Sequence, residues 1–290
     1  MKFCVIGGMG FIGSTLVKKL LKEGHEVVGI DDLSTGSVDN LPNGFPRLNK
    51  ISYINYVTNI DGIFHLGIPC SSPLYRENRS LVDKSIKEFI EIMEYAKVNK
   101  VKVVWASTSS VYNGNTPPYH EDMPVYPIDF YVEARYAMER LAKVYNTFYG
   151  VKSIGLRFFS VFGPNEHSKG IYANLVSQIM WAKNKGEFFD IYGDGEGIRD
   201  FTHVNDVIRA CIMAMESNIS FDILNVGTGK AHTLNQIIEA IGMKNIRYTT
   251  PPGVEGFRSP DTLANMEKTK RVLGFEAQIN VIKYLKGEIE

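Results

Sequence analysis

The 290-residue sequence has little sulfur, no excess of either charge and no long apolar run. Its three cysteines, Cys4, Cys70 and Cys211, lie far apart. They show no pair spacing typical of zinc and are too few for a disulfide scaffold, which points to a reducing compartment, the cytoplasm. The six histidines form no ligand pair, so no metal site is expected. With 32 Lys+Arg against 32 Asp+Glu the net charge is zero. That balance argues against a nucleic-acid partner held mainly through its phosphates. The apolar run that starts at Phe3 is broken by glycines and ends at Lys18, too short for a membrane span. No targeting signal, low-complexity segment, heptad series or internal repeat is visible, and no membrane partner is expected. What is present, a 44% hydrophobic fraction, is ordinary for a globular chain with a sizeable core.

Short apolar strands alternate with longer amphipathic helices. Strands are predicted at residues 3–6, 27–30, 63–66, 101–106 and 153–158, and helices at 10–23, 80–98 and 131–149. This alternation predicts an α/β fold, a Rossmann-like doubly wound parallel sheet with helices on both faces. After Gly163-Pro164 loops lengthen and strands become rarer, as expected of a smaller C-terminal lobe.

The first strand runs into Gly7-Gly8-Met9-Gly10-Phe11-Ile12-Gly13. Glycines at this spacing permit a tight turn (Gly7), approach of the backbone to a pyrophosphate (Gly10) and close helix–strand packing (Gly13). The free N–H groups of the following helix favour phosphate. The second strand ends at Asp31, 18 residues past Gly13, where an acid accepts the ribose hydroxyls of an adenosine and repels a 2′-phosphate. The cofactor indicated is NAD.

Three more segments narrow the reading: VVWASTSSVY over 103–112, YVEAR over 131–135 and GDGEGIRDFTHVND over 193–206. With the glycine motif, His65-Leu66-Gly67, Leu156-Arg157-Phe158-Phe159 and Asn225-Val226-Gly227-Thr228-Gly229, they resemble the extended short-chain dehydrogenase/reductases, specifically the nucleotide-sugar epimerases and dehydratases, with UDP-galactose 4-epimerases as the nearest pattern. The resemblance covers nearly the whole chain. It implies that Gly7, Gly10, Phe11, Ile12, Asp31, Asp32, Ser34, Leu66, Gly67, Ile68, Tyr131, Arg135 and Phe158 hold NAD.

Oxidising a sugar hydroxyl needs a base for its proton. A tyrosine must fall about three units from its pKa of about 10 to serve at neutral pH, roughly 4 kcal/mol of phenolate stabilisation, and a cation one helical turn away can supply much of it. The family uses Tyr-x-x-x-Lys. Here Tyr131 matches the tyrosine, while Arg135 stands at the lysine position, so the resemblance implies that Arg135→Lys retains activity. A second register, Tyr136 with Arg140, has the same spacing; Glu139, four residues after Arg135, matches a family glutamate and favours the first. Thr108 matches the hydroxyl that bonds the reacting sugar oxygen, with a simple strand-end cap as the alternative. The dehydratases carry Asp-Glu after this threonine and the UDP-glucuronate decarboxylases a Glu in the second place. Here Ser109 and Ser110 follow, although 66–73, LGIPCSSP, resembles the decarboxylases.

In the smaller lobe, the resemblance implies that Asn174 and Leu175 of GIYANLVSQ, with Arg199 and Arg258, hold a nucleotide diphosphate. It places Tyr192 on the base, Asp261 on the nucleotide ribose and Ser160 on the sugar, where some uronate epimerases carry Ser or Thr. Residues 1–165 plus about 200–229 are expected to form the NAD domain, and 166–199 plus 230–290 the nucleotide-sugar lobe. The whole is expected to be an NAD-dependent 4-epimerase of a nucleotide-diphosphate sugar, a UDP-sugar by the resemblance, acting as a homodimer. A decarboxylase or dehydratase, and a catalytically weak sensor of both ligands, are the alternatives. Residues 33–61 are too short for the family's third strand with its adenine-binding acid, and Pro46 weakens Phe45–Leu48 as a candidate. A vestigial third strand is predicted, with the adenine resting on apolar side chains.

Overall fold

The apolar stretch that opens the chain becomes the middle of a seven-stranded sheet. The structure, a computed structural model, describes residues 1–250 and 261–289. Along the first half run β1 (Lys2–Ile6), α1 (Phe11–Lys22), β2 (Glu26–Ile30), β3 (Arg47–Leu48), β4 (Gly62–His65), α2 (Ser72–Glu77), α3 (Ser80–Asn99), β5 (Lys102–Thr108), α4 (Phe130–Tyr149) and β6 (Ser153–Phe158). The second half contains β7 (Val161–Phe162), α5 (Leu175–Lys185), β8 (Phe189–Tyr192), β9 (Ile198–Arg199), β10 (Thr202–His203), α6 (Val204–Glu216), β11 (Phe221–Val226), β12 (His232–Thr233), α7 (Leu234–Ile241), β13 (Ile246–Thr249), α8 (Glu267–Leu273) and α9 (Val281–Leu285).

The sheet order is β11-β6-β5-β4-β1-β2-β3 and every pairing is parallel. The order reverses direction at β1, between β2 on one side and β4 on the other. In such sheets the crevice beyond the strand ends at this switch point is the natural ligand site. One face of the sheet packs Leu16, Val17 and Leu20 of α1 with Val204, Val207 and Cys211 of α6. The opposite face packs Phe89, Ile92 and Met93 of α3 with Met138, Ala142 and Tyr145 of α4. The doubly wound arrangement read from the sequence is therefore present. Burial pushes the thiols of Cys4 and Cys211 up to about 12, so both are inert fillers of these cores.

The third strand is indeed vestigial. Only Arg47 and Leu48 pair, with Gly29 and Ile30, reinforced by Asp31 N–H donating to Leu48 O at 2.9 Å. Ile51–Tyr56 after it is a 3₁₀ turn. At the other edge, β11 has its outer polar groups met by side chains. Asn225 N–H donates to Glu121 Oε1 at 2.9 Å, Lys268 Nζ to Ile223 O at 3.0 Å, and Thr269 Oγ1 to Asn225 O at 2.7 Å.

Apart from β11, the strands from β7 onward form short pairs: β7 with β10, β9 with β12, and β8 with β13. A separate apolar cluster joins Val176 and Ile179 of α5, Ile191 of β8, Ile237 and Ile241 of α7 and Val281 of α9. No helix among the described residues is long and apolar enough to cross a membrane.

Candidate active site

The turn after β1 and the turn after β4 meet at the switch point without an intervening side chain. Gly7 has φ +79°, and a Cβ there would lie 2.4 Å from Gly67 Cα. A Cβ on Gly13 would lie 1.9 Å from Gly7 O, so α1 starts hard against the turn. Gly10 differs: a Cβ would touch Gly7 O at 3.3 Å and otherwise face open space. That missing side chain exposes the unbonded N–H groups at the mouth of α1, which has no acid in its first turn. Gly7, Gly10, Phe11, Ile12, Asp31, Asp32, Ser34, Leu66, Gly67 and Ile68 line one cleft of about 670 Å³. The residues present thus suit a dinucleotide: a bare phosphate cradle at one place and an acid at the end of β2.

Asp31 also does work that spacing alone does not reveal. Its Oδ2 accepts Met9 N–H and its Oδ1 accepts Leu33 N–H, both at 2.8 Å, so it staples the glycine turn to the end of β2. Burial pushes its carboxyl above the usual aspartate range despite those bonds. Asp32 points into a more open environment and pairs with Lys84 of α3 at 2.8 Å. Beyond it the cleft is lined by Asn49, Lys50, Ile51 and Ser52 after β3, and by Lys87, Glu88 and Glu91 of α3. This end of the cleft therefore mixes an apolar side chain, Ile51, with the charged side chains of α3. No acid follows β3 directly; Asn49 stands there.

Tyr131 and Arg135 lie one turn apart on α4, whose start is fixed by Asp129 Oδ1 accepting Val132 N–H at 2.8 Å. The guanidinium carbon sits 5.1 Å from the Tyr131 ring centroid. Arg135 is buried and donates to Ala106 O (3.0 Å), Pro69 O (3.0 Å) and Ile68 O (3.5 Å). It therefore bridges α4, the end of β5 and the loop after β4. The alternative pair turns outward: Arg140 lies over the Tyr136 ring and meets Glu133 with its side chain 57% exposed. Thr108 and Phe158 stand opposite each other at the ends of β5 and β6. Thr108 Oγ1 accepts Ser110 N–H at 3.1 Å, so the capping role considered from sequence is present. Thr108, Tyr131, Arg135 and Phe158 are not among the residues that line the cleft; Arg135 meets its wall through the carbonyls of Ile68 and Pro69. Glu139 sits beneath them in a buried network, accepting from Ser107 Oγ (2.6 Å), Arg157 Nε (2.9 Å) and Arg157 Nη2 (2.6 Å).

The expected sugar-nucleotide residues are spread over several elements. Ser160, with φ +29°, bends the chain between β6 and β7. Asn174 caps α5 through Val176 N–H at 3.0 Å, and Leu175 opens that helix. Tyr192 ends β8 half-exposed, and Arg199 ends β9. Asp261 Oδ1 accepts Ile198 N–H at 3.0 Å, which brings it beside the strand that bears Arg199. Arg258 lies outside the described residues. His65 and His203 are buried and held neutral, with pKa values pushed down by burial to about 3 and about 4.

Sequence reasoning missed Lys169, Lys84 and Glu88, all of which line the cleft. On α3 the Lys84–Glu88 spacing reads as an ordinary solvent-facing i,i+4 pair, and nothing around Lys169 marks it.

The chain is 31% identical to the UDP-glucuronate 4-epimerase of Thermodesulfobacterium geofontis (strain OPF15), over 99% of this chain and 94% of that protein. It is also 31% identical to a UDP-N-acetyl-alpha-D-glucosaminuronate decarboxylase of Bacillus cytotoxicus, over 83% of this chain and 79% of the relative. In three dimensions it is similar to the UDP-glucose 4-epimerase of Thermotoga maritima, solved with UDP-glucose, with a TM-score of 0.90, 30% identity and coverage of 99% and 96%. The glycine cradle and the Tyr131 helix both fall within residues 3–227, which match a family profile as a single stretch, and by that match the chain belongs to the NAD dependent epimerase/dehydratase family.

Proposed function

We propose that this protein is a homodimeric, NAD-dependent 4-epimerase of a UDP-linked sugar. Residues 1–165 and about 200–229 carry the cofactor, and 166–199 with 230–290 carry the nucleotide sugar. The observation that carries the choice of reaction is the pair Ser109-Ser110. Directly after Thr108 they open a 3₁₀ turn, where a dehydratase or decarboxylase needs a carboxylate to move protons at a neighbouring carbon.

In this reading Thr108 holds the reacting hydroxyl and Tyr131 takes its proton. Arg135, against the ring, supports the phenolate. The cradle from Gly7 to Ile12, Asp31 with Asp32 and Ser34, and Leu66 to Ile68 fix the cofactor. NAD, when bound, supplies the acceptor and later the donor of the C4 hydride. Asn174, Leu175, Tyr192, Arg199, Arg258 and Asp261 hold the nucleotide diphosphate, and Ser160 leaves room for an acidic sugar, in keeping with the uronate epimerase relative.

A decarboxylase is the second reading, favoured by the 66–73 segment and by the decarboxylase relative. A sensor is the third, favoured by a guanidinium tied to three carbonyls. Incubation with a panel of UDP-hexoses and UDP-uronates, followed by mass measurement and product NMR, separates them. A product of unchanged mass and inverted C4 is expected, and Tyr131→Phe should abolish it while Tyr136→Phe changes little. Release of CO₂ or water overturns the proposal, as does binding of both ligands without turnover.

A further inference from the structure

Lys169 belongs to the turn His167–Tyr172, between β7 and α5, and its side chain is only 16% exposed. It donates to Glu166 Oε1 at 2.6 Å. Glu166 is fully buried, and its other bonds are fixed: Oε1 also accepts Asn174 N–H at 2.9 Å and Oε2 accepts Ser177 Oγ at 2.6 Å. The carboxylate is thus an immobile post. An ammonium has three donors, and Glu166 takes one.

The rest of the ammonium lies toward the glycine turn. It sits 5.4 Å from the ring centroid of Phe11, the first residue of α1, and Lys169 lines the same cleft as Gly7, Gly10 and Cys70. Burial alone would lower its pKa, but Cys70 and Glu166, with Tyr131 adding to them, outweigh burial and hold it above the ordinary lysine value. It is a cation on the side of the cleft that holds the glycine turn.

We propose that Lys169 reaches over the glycine turn and binds the diphosphate of the cofactor. A helix N-terminus offers about half a positive charge against the two negative charges of a diphosphate, so a cation beside it adds to the attraction. The other lysines of the cleft are placed elsewhere. Lys84 is engaged by Asp32, Lys87 follows it on α3, and Lys50 follows β3. Because Glu166 holds both Lys169 and the backbone of Asn174, the clamp also ties the cofactor to the start of α5.

The test is binding, read without turnover. Calorimetric titrations with NAD, ADP-ribose and UDP, and NMR titration with adenosine, are run at two salt concentrations on the parent, Lys169→Met and Lys169→Arg. Loss of one charge-assisted bond predicts NAD and ADP-ribose weakened about tenfold or more in Lys169→Met, with a shallower salt dependence. Adenosine should bind as in the parent, and Lys169→Arg should bind NAD within a few-fold of it. Lys169→Gln, which can still donate to Glu166, replaces the Met variant if that one does not fold. Unchanged NAD and ADP-ribose affinities overturn the proposal. So does an equal loss for adenosine, which would mean a distorted cleft, or a loss confined to UDP, which would assign the lysine to the substrate.

Discussion

At Arg135 a single guanidinium serves three carbonyl oxygens and one aromatic ring. Family resemblance alone implies that lysine could take its place, since lysine carries the same charge. The geometry adds a cost, because lysine lacks the rigid fork by which Nη1 meets Ala106 O while Nη2 meets Pro69 O. Arg135→Lys should therefore keep activity per folded molecule yet lose about 1–3 kcal/mol of stability, the usual penalty for buried carbonyls left unmet. Denaturant titration beside a turnover assay checks both halves. Glu88 offers a pH signature. Burial pushes its carboxyl up to about 7, against the opposing charge of Lys84, while Asp32 and Glu91 add to the rise. In the unfolded chain it titrates at about 4.3. The folded state thus favours the protonated form, and this contribution is present below pH 4.3 and lost as pH rises through 7. Glu88→Gln should melt above the parent at pH 8, with the gap closing by pH 4.

Between elements, Asp200 is the tie that joins β9, the turn after β11 and the start of the C-terminal segment. Buried in full, its carboxylate accepts Thr228 N–H (2.8 Å), Thr228 Oγ1 (2.6 Å), Gly229 N–H (3.0 Å) and Ala264 N–H (3.2 Å). Asp200→Ala strands three backbone donors, and we expect a loss on the order of 3 kcal/mol or more in denaturant titrations. Amide exchange should quicken first at Thr228, Gly229 and Ala264. Such ties explain what could be read in advance and what could not. The period of apolar residues marks β1, α1, α3, α4 and β6, because each element buries one face against the same sheet. The glycine turn declares itself because only glycine fits its contacts. Asp200 with Thr228, Glu166 with Lys169, and Glu139 with Arg157 are pairings across 28, 3 and 18 residues. Only the three-dimensional fold distinguishes these from ordinary surface charges. The Tyr131–Arg135 pair was legible from its spacing, whereas the charged lining that α3 adds beyond Asp32 was not.

For the molecule as a whole, the two longest helices pack on one face of the sheet yet leave apolar side chains in water. Ile90 and Val98 of α3 are 36% and 73% exposed, and Val144, Phe148 and Tyr149 of α4 are 44%, 74% and 58% exposed. Apolar surface concentrated in this way is what a second copy would cover. Light scattering should report a dimer, and Phe148→Glu should shift it toward monomer without lowering the helix signal in circular dichroism. The ends of the sheet have the opposite character. β3 stops after two residues and follows a proline, and the outer backbone groups of β11 are met by Glu121, Lys268 and Thr269. An exposed strand edge is the usual template on which chains add to one another into fibrils. Here neither edge presents a run of free ladder groups. Copies that collide at high concentration find no ready template at either end of this seven-stranded sheet, so its edge-to-edge growth from the folded state is disfavoured.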